Sequence, residues 1–178
     1  MATKVITGNG GNILDSDFHA LTWTGKTKGG VPVKITLDNG LNMGNLEWTL
    51  AEKNEVVPAI EFEACYDNAD TQADETTKCP WKVEMNGDVV TGEKEILLGL
   101  GVFAIDGVDV GLCRGGGSFK IEREFRPIAA DGDKGTVKGR VAMDTEKAKL
   151  SMNVLTMLTS VAKLYPALEE KAGEEAEG

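Results

Sequence analysis

A chain of 178 residues with 41% hydrophobic and 27% charged residues has the balance of one globular domain and excludes wholesale disorder. Its 22 glycines follow no collagen-like period and its aromatics stop at 6%, which suits many tight turns and therefore β-structure. The formal charge of −10, from 19 Lys and Arg against 29 Asp and Glu, excludes a broad basic surface for duplex DNA, because phosphate binding needs local positive charge.

The N-terminal sequence MATKVITGNG lacks the apolar core of a secretory signal. Period-two alternation then dominates. Residues 18–25 place Leu21 and Trp23 on one strand face, and His19, the only histidine, reads there as a surface residue. Residues 31–37 set Val31, Val33, Ile35 and Leu37 against Lys34 and Thr36, with Pro32 at a strand start or edge, where its missing N–H costs no ladder bond. Residues 46–50 alternate around Trp48; the stretch 50–55 is too short for a helix and reads as a loop. Residues 56–66 align Ile60, Phe62, Ala64 and Tyr66 against Glu61 and Glu63, and residues 80–85 align Trp81, Val83 and Met85. Such half-buried strands belong to antiparallel sheets with one covered face. All three tryptophans share faces with apolar neighbours, which favours core packing over an aromatic platform for sugars.

In the second half, Asp106-Gly107 between apolar runs marks a hairpin with a primed turn. Residues 118–128 put Phe119, Ile121, Arg123 and Phe125 on one face and Glu122, Glu124 and Arg126 on the other. A turn at 131–135 and strands at 136–143 and 147–156 follow. From Thr159-Ser160, either of which suits a cap, Val161, Leu164, Tyr165 and Leu168 recur at helical spacing; Pro166 limits this helix to about two turns. Residues 169–178 hold five Glu and one Lys, a net of −4 that leaves −6 for the rest, and read as a disordered acidic tail. The expected fold is mostly β: an antiparallel sandwich or barrel-like body of two packed sheets with one short flanking α-helix. A polar stretch at 86–94 joins halves 1–87 and 93–168. Each half alone would bury only about 60% of its surface, so one domain over 1–168 is expected.

The chemistry of an enzyme is not written here. A single His without an evident nucleophile argues against a hydrolytic triad. Cys65, Cys79 and Cys113 are odd in number and form no Cys-x-x-Cys, so no zinc site is expected. Cys65 and Cys79 are placed to pair across a loop, but without a secretion signal free thiols are the better expectation. The glycine run 113–118 lacks the spacing and Lys-Ser/Thr ending of a phosphate-binding loop, and a strand follows it. The acidic stretch from Asp67 carries Gln72 and Lys78 where a calcium loop needs Gly and Glu. No catalytic residue, metal or cofactor is expected, and no run of about 18 apolar residues suggests a membrane span.

A family resemblance adds to this. The sequence GLGVFAIDGVDVG (99–111), then RGGGSFKIEREFR (114–126), ADGDKGTVKGR (130–140) and the apolar stretch ending Leu164-Tyr165-Pro166 resembles the tail tube (major tail) proteins of long-tailed bacteriophages of Gram-positive bacteria. The first half resembles them too, through FHALTWTGKTK (18–28), ITLDNGLN (35–42), EKNEVVP (52–58) and PWKVE (80–84). In that family the hairpin half precedes the Trp-Thr-Gly half; here the order is exchanged about 86–94, the pattern of a circular permutation. The resemblance implies a virion protein, made in the host bacterial cytoplasm. It would assemble with itself and other tail proteins into stacked, six-fold rings through which DNA passes unread. Acidity suits a conduit, since carboxylates let phosphates slide past. On this reading the loop 67–78, with Asp67, Asp70, Asp74 and Glu75, forms an arm to a neighbouring subunit; a mobile surface loop is the equally good plain reading of that segment. Arg114, Gly115, Gly116 and Gly117 are the next interface candidate, because glycines permit close backbone approach; a simple bulge is the plainer reading of that run. The alternatives are another tail, head-completion or capsid decoration protein of the same fold, or a monomeric β-sandwich binding module.

Overall fold

A computed structural model of the chain describes residues 4–48, 50, 52, 55–67, 79–85, 87, 91–155 and 161–172. Strand β1 (Lys4–Gly8) pairs antiparallel with the last strand, β10 (Leu168–Ala172), so that Lys4 faces Ala172. Between them run β2 (Phe18–Thr27), β3 (Pro32–Asn42), β4 (Ala59–Ala64), β5 (Trp81–Met85), β6 (Leu97–Ile105), β7 (Val108–Asp109), β8 (Cys113–Pro127) and β9 (Val141–Val154). These eight form one antiparallel sheet in the order β7-β6-β2-β3-β4-β9-β8, with β5 also on β3. The chain is mostly β, as its alternation requires. The fold is antiparallel and sandwich-like, as expected: beside the two-stranded β1–β10 sheet, the eight-stranded sheet curls so that β6 and β8 approach across its interior.

The core follows from that curl. Leu21 and Trp23 of β2, Val33, Ile35 and Leu37 of β3, Ile60 and Phe62 of β4, and Leu150, Met152 and Val154 of β9 are buried together. These are the inward positions of four alternating strands, and each fully buried aliphatic or aromatic side chain contributes about 1.5–3 kcal/mol. Two glycine contacts let the sheet close. A Cβ on Gly25 or Gly101 would strike the Trp23 indole, which lies across both, and a Cβ on Gly117 would strike the Ser151 carbonyl and the Phe103 ring. Phe103 of β6 thus reaches β8 across the interior although the two strands share no ladder. Strands of the first sequence half (β2, β3, β4) stand together in this sheet, flanked on both sides by strands of the second half: β6 pairs with β2, and β9 with β4. The 86–94 stretch ends in a 3-10 turn (Gly92–Glu95) tied to the β2–β3 connection, with Gly29 N–H donating to the Lys94 carbonyl at 3.0 Å.

Several expectations change. Residues 46–48 and 50 are not strand, and Trp48 is 40% exposed, so one of the three tryptophans lies outside the core. The expected strands 136–143 and 147–156 merge into one strand, β9, which starts only at Val141; residues 136–140 are turn and irregular chain. The apolar parity switches between Met143 and Ala148 because a bulge inserts Asp144: Glu124 pairs with Thr145 and the next residue, Phe125, with Met143. The helix α1 (Val161–Leu164) is one turn rather than two, with Pro166 and the left-handed Ala167 just past it; its expected caps, Thr159 and Ser160, lie outside the described residues. Glu169, Glu170, Lys171 and Ala172, expected in a disordered acidic tail, belong to β10, whose charges remain at the surface of a two-stranded ribbon. Residues 173–178 lie outside the described residues. The hairpin turn matches its sequence, with Asp106 at φ 52° and Gly107 at φ 78°.

Candidate assembly surfaces

The β8–β9 ladder continues well past the body. Its inner end, from Phe119 opposite Leu150 to Ile121 opposite Ala148, packs on the core. Farther out, Arg123 stands opposite Glu146, Phe125 opposite Met143 and Pro127 opposite Val141, all on the face that began as the core face. Phe125 is 61% exposed and Val141 46%. The bulge at Asp144 keeps these apolar side chains on one face. The connection at the tip is built around Asp133, which accepts from Ala130 N–H at 2.7 Å and pairs with Arg140 at 2.7 Å, while Ile128 N–H donates to the Arg140 carbonyl.

Glu146 fixes the root of this arm. Its carboxylate accepts from Trp81 Nε1 at 3.0 Å and from Arg123 Nε at 2.7 Å, with its side chain only 13% exposed. The indole therefore serves β5 and the arm together, and its ring leans on Phe119 at 5.9 Å. On the outer face, Lys149 reaches Glu61, Glu63 and Glu122, Lys147 reaches Glu63, and Lys120 reaches Glu122. Hydrogen bonds from Lys120 and Lys149 hold the Glu122 carboxyl below its ordinary value, and Glu122 in turn raises Lys149. This balanced lattice leaves little free charge for a polyanion on that face.

Open strand edges accompany the arm. Among the described residues, β6 pairs only with β2 over 97–102, and β8 pairs only with β9. On the outward face of β6, Leu100 is 83% exposed and Val102 50%. The sequence carries a signal for this that the alternation argument passed over: β6 is apolar on both faces, which a strand with one solvated face does not need.

The other end of the body is closed by polar contacts. His19, expected at the surface, is only 7% exposed, because it shares the inward face of β2 with Leu21 and Trp23. Its Nδ1 meets Asp106 Oδ2 at 2.7 Å and its Nε2 donates to the Lys163 carbonyl at 2.7 Å. Asn42 Nδ2 donates to the Leu164 carbonyl at 2.8 Å. Two side chains thus satisfy carbonyls at the end of α1 that the one-turn helix leaves without partners. This places Leu164 and Tyr165 into the core, and burial pushes the Tyr165 phenol up.

The site residues expected from sequence do not converge. Asp67 accepts from Asn39 Nδ2 at the end of β4. Asp70, Asp74 and Glu75 lie outside the described residues. Arg114 donates to Glu55 Oε2 at 2.6 Å within the same chain. Gly115 and Gly116 carry left-handed φ values of 86° and 74° at the irregularity between Cys113 and Gly117, the bulged form of that run. The tight approach at Gly117 is made by this chain's own Phe103 and Ser151. Among the described residues no group of three His, Cys, Asp or Glu side chains is arranged to hold a metal ion, and no helix is long and apolar enough to cross a membrane. No family model, curated protein or solved structure matches the chain.

Proposed function

We propose that the chain is a structural subunit of a phage tail tube, assembling with copies of itself into stacked, six-fold rings around a channel that conducts DNA. The observation that carries this reading is the coincidence of open edges with uncovered apolar side chains on β6 and on the β8–β9 arm. Unpaired edges and apolar stripes are liabilities for a monomer and are resolved when a neighbour covers them. The arm adds a second reason. A two-stranded ribbon is marginal by itself in water, and this one presents Phe125, Met143 and Val141 along one face. The net charge of −10 and the ion-paired outer face suit a wall that does not retain phosphates. The pairing of β1 with β10 supports the permuted order, since a chain whose paired end strands lie side by side tolerates being joined there and opened elsewhere. On this reading the protein resides in the virion tail, with other tail proteins as further partners.

Negative-stain electron microscopy over a concentration series tests the proposal. Rings or hollow tubes are expected; a monodisperse monomer at every concentration overturns it in favour of a monomeric binding module. The permutation has its own test: a chain that starts at Glu93, runs through Ala172 and continues by a short linker into Thr3 folds and assembles like the present one, and its failure to fold removes that part of the reading.

A further inference from the structure

Two of the three cysteines arrive at one place in the sheet. Strands β4 and β5 lie end to end along the same flank of β3, with Gly40 opposite Ala64 and Leu37 opposite Trp81. Cys65 N–H donates to the Asn39 carbonyl at 3.1 Å, and Asp38 N–H donates to the Pro80 carbonyl at 2.7 Å. Counting outward from these pairs, one step beyond Ala64 is Cys65 and two steps before Trp81 is Cys79, and both fall at the register of Asn39. Strand positions are about 3.3 Å apart, so two chain ends that meet one register lie within one or two steps of each other. Disulfides form between Cα atoms about 4.4–6.8 Å apart, the same range. Both cysteines are half-buried and line one cleft of about 800 Å³ together with Tyr66, Trp81 and Glu146. Cys113, on β8, is outside this cleft. Both thiols are reduced in this structure.

We propose that Cys65 and Cys79 form an intramolecular disulfide when the protein meets a low-molecular-weight disulfide such as oxidised glutathione, fastening both ends of the 65–79 segment to β3. One cysteine thiolate attacks the oxidant's sulfur, giving a mixed disulfide and one small thiol. The second thiolate then attacks the protein sulfur of that mixed disulfide and expels the other small thiol. The chain loses two protons and two electrons, the oxidant gains both, and one S–S bond has formed for one broken. Burial and the Glu63 carboxylate push the Cys65 thiol up, so closure quickens as pH rises from neutral. The inference stands on the register of β4 and β5 and is independent of the assembly proposed above.

Oxidised glutathione at pH 8, followed by acid quench, intact mass and peptide mapping without reductant, tests it on the full chain and on Cys113→Ser. The expected product has lost two hydrogens, carries no glutathione and yields one linked peptide pair joining 65 to 79. Cys113 remains as one titratable thiol in the unsubstituted chain. The thermal midpoint of the oxidised protein rises by roughly 6–12 °C, as expected for closing a 15-residue loop in a domain of this size. Cys65→Ser shows neither the link nor the rise. Persistent glutathione adducts on both residues, a Cys113-linked dimer as the main product, or two titrating thiols in oxidised Cys113→Ser would each overturn the proposal.

Discussion

The β8–β9 ladder is one element with two different fates. At its inner end Ala148, Leu150, Met152 and Val154 are almost completely buried against β4 and the core. At its outer end Phe125, Val141 and Met143 hold the same inward face and stay exposed. The alternation is equally good in both places. What differs is cover: β4 pairs with β9 only over 149–153, and beyond Glu146 the inward side chains Met143, Val141 and Phe125 stay exposed. A strand's apolar face is thus an offer of contact, and a separate element decides whether the same chain or a neighbour takes it up.

Substitution at the two ends separates these fates. Phe62→Ala, at the body end, is expected to cost about 3–5 kcal/mol in urea denaturation, because the site is fully buried. Phe125→Ala is expected to stay within about 0.5 kcal/mol in the monomer. Phe125→Asp should leave the monomer's denaturation midpoint in place yet abolish tubes in the microscope; normal tubes from that variant would mean the arm's apolar face has no neighbour.

The polar closure of the body is the next largest effect. His19→Ala removes the Asp106 contact, leaves the Lys163 carbonyl without its donor and opens a gap at a buried position, and is expected to cost about 2 kcal/mol, read by denaturation. Its counterpart at the arm root, Glu146→Gln, keeps the Trp81 bond but weakens the Arg123 contact. It should cost no more than about 1 kcal/mol, with faster amide exchange confined to residues 122–147.

The two regions also part company with pH. In the body, burial raises Cys65, Cys113 and Tyr165. A folded value above the unfolded one means stability that is full below the ordinary value and lost as pH climbs. The thermal midpoint should therefore fall as pH rises past the ordinary thiol value of 9.0 and phenol value of 10.0. On the outer face, Glu122 is lowered by Lys120 and Lys149, so its contribution is present above the ordinary 4.5 and fades as pH drops below it. Lying in a solvent-screened surface lattice, it should produce the smallest effect, visible as faster exchange along 120–122 and 147–149 rather than as a shifted midpoint. A midpoint flat from pH 7 to 11 would contradict the assignment for the body.

Much of the fold was readable because its causes are local. Strands β2, β3 and β4 announce themselves by period two, and Asp106-Gly107 by the left-handed backbone its turn needs. The candidate site was far less readable. The glycine run proved to be a bulge packed against its own chain, while the uncovered apolar stripe of the arm was hidden by a parity switch that a single bulged residue explains. The β1–β10 pair was missed because Glu169, Glu170 and Lys171 read as solvated charge, which an exposed ribbon tolerates as easily as a tail does.

By itself, the sequence determined which segments extend, where they turn and which side chains share a face, since these depend on neighbours one to three residues away. The tertiary structure decided which faces are covered. It buried His19 but left Val83, Met85 and Phe125 exposed, and it brought Cys65 and Cys79 to one register. Cover and convergence depend on partners tens of residues distant, and no periodicity encodes where the sheet will curl.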